Sequence, residues 1–305
     1  MTSRLYHFGL IGYPLEHSLS PRLHRAALDA CRLQGDYRLF SIPPGNDCDA
    51  ALSELVNGLR SGRLHGLNVT IPHKQAVIDH LDRLTPAARA IGAVNTIFWD
   101  GHQLVGENTD APGFLADLRR YVPRSAEDDS IAYILGAGGA ARAIAYALHQ
   151  AGWGVAIAAR RLAQAQEVVD QLSHLADGPS RAAAQPLRVV PFDAAAIADE
   201  IHRLQEDQQA KIVIVNSTPL GMYPHNVGTP WSEEIPLPRS VFVYDLVYNP
   251  AQTRLVTYAH RSGLQAASGL GMLVEQAALA FERWTGQQAP RSAMWHAITD
   301  GGYTR

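Results

Sequence analysis

With 305 residues, 47% of them hydrophobic and 18% charged, the chain has the length of two ordinary domains and the composition of a globular rather than a disordered protein. A formal net charge of −3 supplies no basic field for nucleic acid or anionic lipid, so any anionic ligand must be held by local groups. Two cysteines, Cys31 and Cys48, and 13 scattered histidines match no ligand spacing, so no metal is expected and free thiols in a reducing cytoplasm are the simpler reading. No apolar run reaches membrane-spanning length and the first residues lack a signal peptide's apolar stretch, so a cytoplasmic protein without a membrane partner is expected.

Residues 5–12 read as a buried strand ending in a turn at Gly12-Tyr13-Pro14, followed by a helix from Pro21 to about Leu33. A strand at 37–42, a helix at 47–59 and a strand at 65–71 continue an alternation that describes βαβ units on a parallel sheet. Asp100-Gly101, between apolar runs at 94–99 and 103–105, predicts a hairpin. A helix follows at 110–121, and the polar stretch 123–130 is the expected domain seam. The strand–helix rhythm restarts with strands at 131–135 and 154–159 and helices at 139–151 and 161–175. Residues 174–185 read as a surface loop, 189–191, 212–216 and 241–246 as strands, and 269–285 and 290–298 as helices.

Between the strand 131–135 and its helix lies Gly136-Ala-Gly138-Gly-Ala-Ala141, a dinucleotide-binding fingerprint in its proper context. Gly136 permits the tight turn, Gly138 lets the backbone approach a pyrophosphate, and Ala141 is small enough for close helix–strand packing. Free N–H groups and a partial positive charge at the helix start complete the cradle. The next strand ends in Ala158-Ala-Arg160-Arg161, with no acid before Glu167 to accept from a ribose 2′-hydroxyl. Two guanidinium groups suit a 2′-phosphate, which favours NADP over NAD; the competing reading makes them solvated helix-start residues.

Two polar signatures precede the glycine turn, Asn68-Val-Thr70-Ile-Pro-His-Lys74 and Gly106-Glu-Asn-Thr-Asp110. The first runs off the C-terminal end of a strand, where open α/β sheets bind ligands, and alternation puts Asn68 and Thr70 on one face. Alone, Lys74 reads as a surface lysine and Asp110 as a helix cap. Together they could form a proton-transfer pair, and beside a nicotinamide such a pair points to a dehydrogenase. Ser18-Leu-Ser20-Pro21 reads as an N-cap, with Ser20 capping and Pro21 first in the helix; the same turn offers two hydroxyls to a carboxylate.

These motifs, with His17-Ser-Leu-Ser-Pro21, Gly92-Ala-Val-Asn-Thr96, Asn216-Ser-Thr-Pro-Leu-Gly-Met222, Tyr244-Asp-Leu-Val-Tyr-Asn-Pro250 and Gly269-Leu-Gly-Met-Leu-Val-Glu-Gln276, resemble the ordered signatures of the shikimate dehydrogenase family over roughly residues 5–287. The resemblance implies an α/β substrate and catalytic domain with a mostly parallel sheet over 1–110, completed by C-terminal helices at about 269–305. It also implies a Rossmann-like NADP domain over 111–268 and an active site in the cleft between the two. Lys74 and Asp110 match the family's catalytic pair. Ser18 and Ser20 would bind the substrate carboxylate, and Asn68, Thr70, Asn95 and Gln276 the ring hydroxyls, with Tyr248 completing the pocket. Gly136, Ala137, Gly138, Gly139, Ala140, Arg160, Arg161, Thr218, Met222, Leu246 and Gly269 would hold NADP. Members specific for NADP usually carry Asn-Arg-Thr/Ser at the strand end and a further arginine a turn later. Here Ala159 and Gln164 stand at the first and last of those positions, and Arg161 is the substitute for the missing arginine.

The implied reaction is the reversible NADP-dependent reduction of 3-dehydroshikimate to shikimate, a step toward the aromatic amino acids. A relative preferring quinate and a non-catalytic NADP- or metabolite-binding regulator of the same fold are the alternatives. The expected partner is the small-molecule substrate, with no nucleic acid, and the expected assembly a monomer or homodimer.

Overall fold

The computed structural model describes residues 4–123, 129–174, 186–207, 210–224 and 226–300. The chain forms two compact units, Met1–Gly113 with Val274–Arg305, and Phe114–Leu273. Its crossings fall inside the helices α4 (Asp110–Tyr121) and α9 (Leu270–Thr285), not at the polar stretch 123–130. Local polarity marks loops, whereas the division follows packing. A Cβ on Gly113 would lie 2.8 Å from the Gln276 backbone nitrogen, so this glycine lets the two helices touch within the first unit. Of the expected seam, 124–128 lie outside the described residues, as do 175–185 of the expected surface loop.

In the first unit, β1 (Leu5–Gly12) pairs in parallel with β2 (Gln34–Ser41) and β3 (Gly66–Val69). The sheet then turns antiparallel through β5 (Thr96–Trp99) and β6 (Leu104–Glu107), and β4 (Arg83–Leu84) closes its edge in the order β2-β1-β3-β5-β6-β4. Only β5 runs counter to the other strands described, so the sheet is mostly parallel, and the hairpin at Asp100 returns the chain to the common direction in β6. Asp100 Oδ1 accepts from the backbone nitrogens of His102 and Gln103, fixing the turn. The helices α1 (Ser20–Ala30) and α2 (Cys48–Arg60) connect the parallel strands, and Leu52, Val56 and Leu59 of α2 pack on Ile11, Leu67, Val69 and Ile97. Trp284 occupies the space above Gly66, where a Cβ would come within 2.3 Å of its indole, and stacks on Phe8 at 4.7 Å.

The second unit is an all-parallel sheet of β7 (Ser130–Leu135), β8 (Gly154–Ala159), β9 (Leu187–Pro191), β10 (Lys211–Asn216), β11 (Val241–Asp245) and β12 (Ala266–Ser268). Its order, β12-β11-β10-β7-β8-β9, is the doubly wound dinucleotide-binding order, reversing between β7 and β10. Alternate strand residues feed two cores. Ile134, Val155, Ile157 and Val215 pack with α5 (Gly139–Gln150) and α6 (Leu162–Ser173) on one face. Tyr133, Ile212, Ile214 and Val243 pack with α7 (Ala194–Asp207) and α8 (Arg254–Arg261) on the other.

Four helical segments and two strands went unread in the sequence. They are a 3₁₀ turn at Ala76–His80, α3 (Pro86–Ile91), α7, α8, β4 and β12. Three carried their signals. Thr85 caps α3 with Pro86 following and a left-handed Gly92 ending it, Asp193 Oδ1 accepts from Ala195 N and Ala196 N at the start of α7, and Thr253 caps α8. The short strands are too brief for a period to register.

Candidate active site

Lys74 lies just past β3, where the chain leaves the sheet. His73 is buried and its Nε2 donates to the Ile42 carbonyl at 2.7 Å, while the Lys74 carbonyl accepts from Val94 N at 2.8 Å. So anchored, Lys74 sends its Nζ to Asp110 Oδ2 at 2.5 Å, with side chains 15% and 7% exposed. The other carboxylate oxygen accepts from Asn95 Nδ2 at 2.9 Å. Asn95 is itself held: its Oδ1 accepts from Thr109 N at 2.7 Å, and its Nδ2 also reaches Thr109 Oγ1 at 3.0 Å and Gln276 Oε1 at 3.4 Å. An ammonium has three N–H donors, so Lys74 retains two beyond the one given to Asp110.

Asn68 joins the same network. Its Nδ2 donates to the Asn95 carbonyl and to Thr96 Oγ1, both at 3.1 Å, and its Oδ1 accepts from Tyr37 OH at 2.9 Å. With both N–H groups committed, Asn68 can meet a further group only as an acceptor. Thr70 N bonds the Ile11 carbonyl at 2.8 Å, and its methyl occupies the place a Cβ on Gly12 would need. The structure thus joins Lys74, Asp110, Asn95, Gln276 and Asn68 in one hydrogen-bonded set and adds Thr96, Thr109 and Tyr37. Thr96 and Thr109 lie inside the quoted motifs. Tyr37 carries no local signal because its contact spans strands.

Two expected caps are corrected. Ser20 does not cap α1; it is the first helical residue, and Leu19 is the N-cap, without a side-chain cap bond. The Ser20 N–H instead donates to Ser18 Oγ at 3.3 Å. Nor does Asp110 cap α4. Asn108 Oδ1 accepts from Ala111 N at 3.2 Å, because Lys74 and Asn95 already claim the aspartate.

In the second unit the glycine turn stands at the reversal of strand order. Gly136 has φ +117°, and a Cβ there would lie 2.5 Å from Ser217 Oγ on the neighbouring β10 loop. Gly138 is the extended N-cap of α5, without a side-chain cap bond, and a Cβ on it would meet nothing within 4 Å. Ala137, which is buried, and the half-buried Gly139 and Ala140 complete the turn around the exposed Gly138. Arg160 and Arg161, at the end of β8, are exposed and form no side-chain hydrogen bond or ion pair among the described residues. Glu167, the first acid after them, bonds Arg142 of α5 at 3.3 Å.

Thr218, Met222, Leu246 and Gly269 also lie in this unit. Thr218 is bound by its N and Oγ1 to Asn216 Oδ1, at 2.9 and 2.7 Å. Leu246 N donates to the Asn216 carbonyl at 2.9 Å, and Met222 is exposed. Tyr248 belongs to this unit as well, half-buried after β11. Among the described residues no group of three or more His, Cys, Asp or Glu could hold a metal ion, and no helix is long and apolar enough to cross a membrane.

Comparison with known proteins bears on what these sites do. Residues 10–97 match the family model of the shikimate dehydrogenase substrate binding domain, and 269–299 that of the shikimate 5′-dehydrogenase C-terminal domain. The chain is 42% identical to a shikimate dehydrogenase (NADP(+)) of Salinibacter ruber, covering 95% of each. The fold superposes on shikimate 5-dehydrogenase from Thermus thermophilus in complex with NADP(H) and shikimate, with a TM-score of 0.78, 34% identity and coverage of 97% and 99%. It also superposes on quinate dehydrogenase from Corynebacterium glutamicum in complex with NAD, with a TM-score of 0.81, 31% identity and coverage of 97% and 100%.

Proposed function

The chain belongs to the shikimate dehydrogenase family, and from that premise we propose that Lys74 and Asp110 are its catalytic pair in the NADP-dependent reduction of 3-dehydroshikimate to shikimate. The enzyme is an NADP-dependent oxidoreductase of the shikimate pathway. The observation that carries the residue assignment is the 2.5 Å ion pair, largely buried and locked from behind by Asn95.

The residues present fit the cofactor. The α5 N-terminus lacks a side-chain cap, the space beside Gly138 is open to a pyrophosphate, and two guanidinium groups without a partner among the described residues follow β8. Gly136, Ala137, Gly138, Gly139 and Ala140 would hold the pyrophosphate, Arg160 and Arg161 the 2′-phosphate, and Thr218, Met222, Leu246 and Gly269 the nicotinamide side. When bound, NADPH supplies the hydride that reduces the ring carbonyl. Lys74 does the rest of the chemistry: its ammonium stabilises the negative charge growing on the carbonyl oxygen and gives it a proton. Asp110 holds Lys74 in place and accepts from a ring hydroxyl. Ser18 and Ser20 take the substrate carboxylate, and Asn68, Thr70, Asn95, Gln276 and Tyr248 the remainder of the ring.

Shikimate rather than quinate follows from the paired serines, which fit the substrate lacking the extra hydroxyl on the carboxylate-bearing carbon. The similarity to a quinate dehydrogenase shows that the fold alone does not choose. The enzyme works on a small molecule in the cytoplasm as a monomer or homodimer, without nucleic-acid or membrane partners. Steady-state kinetics with shikimate and quinate, each against NADP and NAD, test this reading. The highest kcat/KM is expected for shikimate with NADP, and a preference for quinate with NAD would overturn it.

A further inference from the structure

At the C-terminal edge of the parallel sheet, Asn216 and Asp245 end adjacent strands as register partners, and both are fully buried. Asn216 uses its whole hydrogen-bonding capacity. Its Nδ2 donates to Asp245 Oδ1 at 2.8 Å and to the Leu220 carbonyl at 3.3 Å, and its Oδ1 accepts twice from Thr218. The amide therefore cannot turn, and the direction that holds Thr218 is the one requiring an acceptor at Asp245.

Asp245 is surrounded by neutral donors. Its Oδ1 also accepts from Val247 N at 3.0 Å and its Oδ2 from Thr253 Oγ1 at 2.7 Å; no cation faces it among the described residues. Burial pushes its carboxyl up to about 6, so holding the charged form near neutral pH costs the fold stability. An asparagine keeps the two bonds at Oδ1, from Asn216 and Val247, but not the third: its nitrogen cannot accept from the Thr253 hydroxyl and must donate to Thr253 Oγ1 instead. Thr253 Oγ1 already accepts from Val256 N, and a hydroxyl accepts two bonds. At Oδ1, the oxygen that Asn216 meets, hydrogen bonding alone therefore does not call for a carboxylate. What the charge adds is polarisation: a charge-assisted bond to one end of the Asn216 amide strengthens the acceptor at the other.

We propose that Asp245 is a positioning residue for the nicotinamide side of the cofactor site, acting through Asn216 to hold Thr218 and the loop running to Met222. The inference rests on the reading of Thr218 as a cofactor contact. Leu246 and Gly269 are tied to the same corner: Leu246 N bonds the Asn216 carbonyl, Gly269 N bonds the Val247 carbonyl at 3.2 Å, and a Cβ on Gly269 would strike the Leu246 carbonyl oxygen. A stability cost accepted for an ordered site is the expected trade.

Kinetics and thermal unfolding of full-length Asp245→Asn, Asp245→Ala and Thr218→Ala at pH 8 test it. Asp245→Asn is expected to raise KM for NADP roughly three- to tenfold, the effect of weakening one charge-assisted bond, and to leave KM for shikimate within about twofold. Its unfolding midpoint should lie above that of Asp245→Ala. Asp245→Ala should raise KM for NADP further and lower the midpoint, with Asp245→Asn recovering part of both. An Asp245→Asn protein with unchanged KM for NADP, or with both KM values moved together, overturns the proposal. If Thr218→Ala leaves KM for NADP unaltered, the cofactor reading of Thr218 fails and the proposal with it. A Thr218 effect beside a silent Asp245→Asn sinks the positioning role alone.

Discussion

In the first unit the side chains of Lys74, Asp110 and Asn95 are bonded to one another, and Asn68 joins them through the Asn95 carbonyl and Thr96 Oγ1, so the proposed catalytic groups depend on their neighbours. In the second, the turn at 136–141 offers main-chain N–H groups, and its glycines matter for what they leave empty. A network of side chains localises a proton and reads hydroxyls, tasks that need defined donors and acceptors. A pyrophosphate asks instead for close approach and several parallel N–H groups, which backbone supplies best. Substitutions should therefore fail differently in the two units: chemically in the first, sterically in the second.

The largest effect is expected at Lys74. Lys74→Ala should lower kcat about a hundred- to ten-thousand-fold, the usual loss on removing a general acid, with a smaller change in KM for shikimate. Near-native turnover in steady-state assays would falsify its role.

The glycine pair divides the steric cases. Gly136→Ala places a side chain at φ +117° and within 2.5 Å of Ser217 Oγ, and should cost on the order of 1–3 kcal/mol in denaturant unfolding as well as cofactor affinity. Gly138→Ala meets no protein atom and should leave stability unchanged while raising KM for NADP roughly tenfold. Equal destabilisation by the two would remove the distinction between a glycine the fold needs and one the ligand needs.

At the 2′-phosphate, Arg160→Ala should raise KM for NADP by about tenfold, the worth of a charge-assisted hydrogen bond, and leave KM for NAD little altered. Parallel changes with both cofactors would show that Arg160 does not read the 2′-phosphate.

Stability also depends on pH, with a sign that differs between the units. His24 of α1 is fully buried and stacked on Tyr37 at 4.4 Å, and burial drives its pKa from 6.5 to about 3, with Asn68 opposing. The unfolded chain then binds a proton that the folded one refuses, so stability present above pH 6.5 is lost as pH falls toward 3. At pH 5 the loss is about 2 kcal/mol, and His24→Phe should abolish it in denaturant titrations at pH 5 and 7.5. Asp245 works the other way. Its raised carboxyl costs nothing below about pH 4, and the cost grows as pH rises from its ordinary value of 3.8 through about 6. The midpoint gap between Asp245→Asn and the native protein should thus widen from pH 4 to pH 8.

Much of this arrangement was legible beforehand, for reasons particular to each element. The strand 154–159 and the helix 110–121 stand where periodicity placed them, because apolar runs bounded by turn residues leave few alternatives. The strand–glycine–helix turn was legible because all its parts are local. Ser20 reads as a cap and is not one, because composition shows what could cap, not which geometry the turn adopts; Asp110 reads as a cap only when taken alone, and Asn108 holds that role. The one reversed strand of the first sheet, β5, carries no local mark of its direction, because its pairing with β3 joins residues about 28 positions apart.

The amino-acid order by itself determined the elements, the glycine turn, the absence of an acid after β8 and the placing of Lys74 and Asp110 at element ends. All of these rest on interactions a few residues in range. The fold decided which polar side chains meet: Tyr37 with Asn68, Asn95 with Gln276, Asn216 with Asp245. Those pairings join residues 29 to 181 positions apart along the chain, and the burial that shifts His24 and Asp245 exists only once their surroundings have packed. Long-range hydrogen bonds and desolvation are properties of the assembled core, so no local pattern carries them.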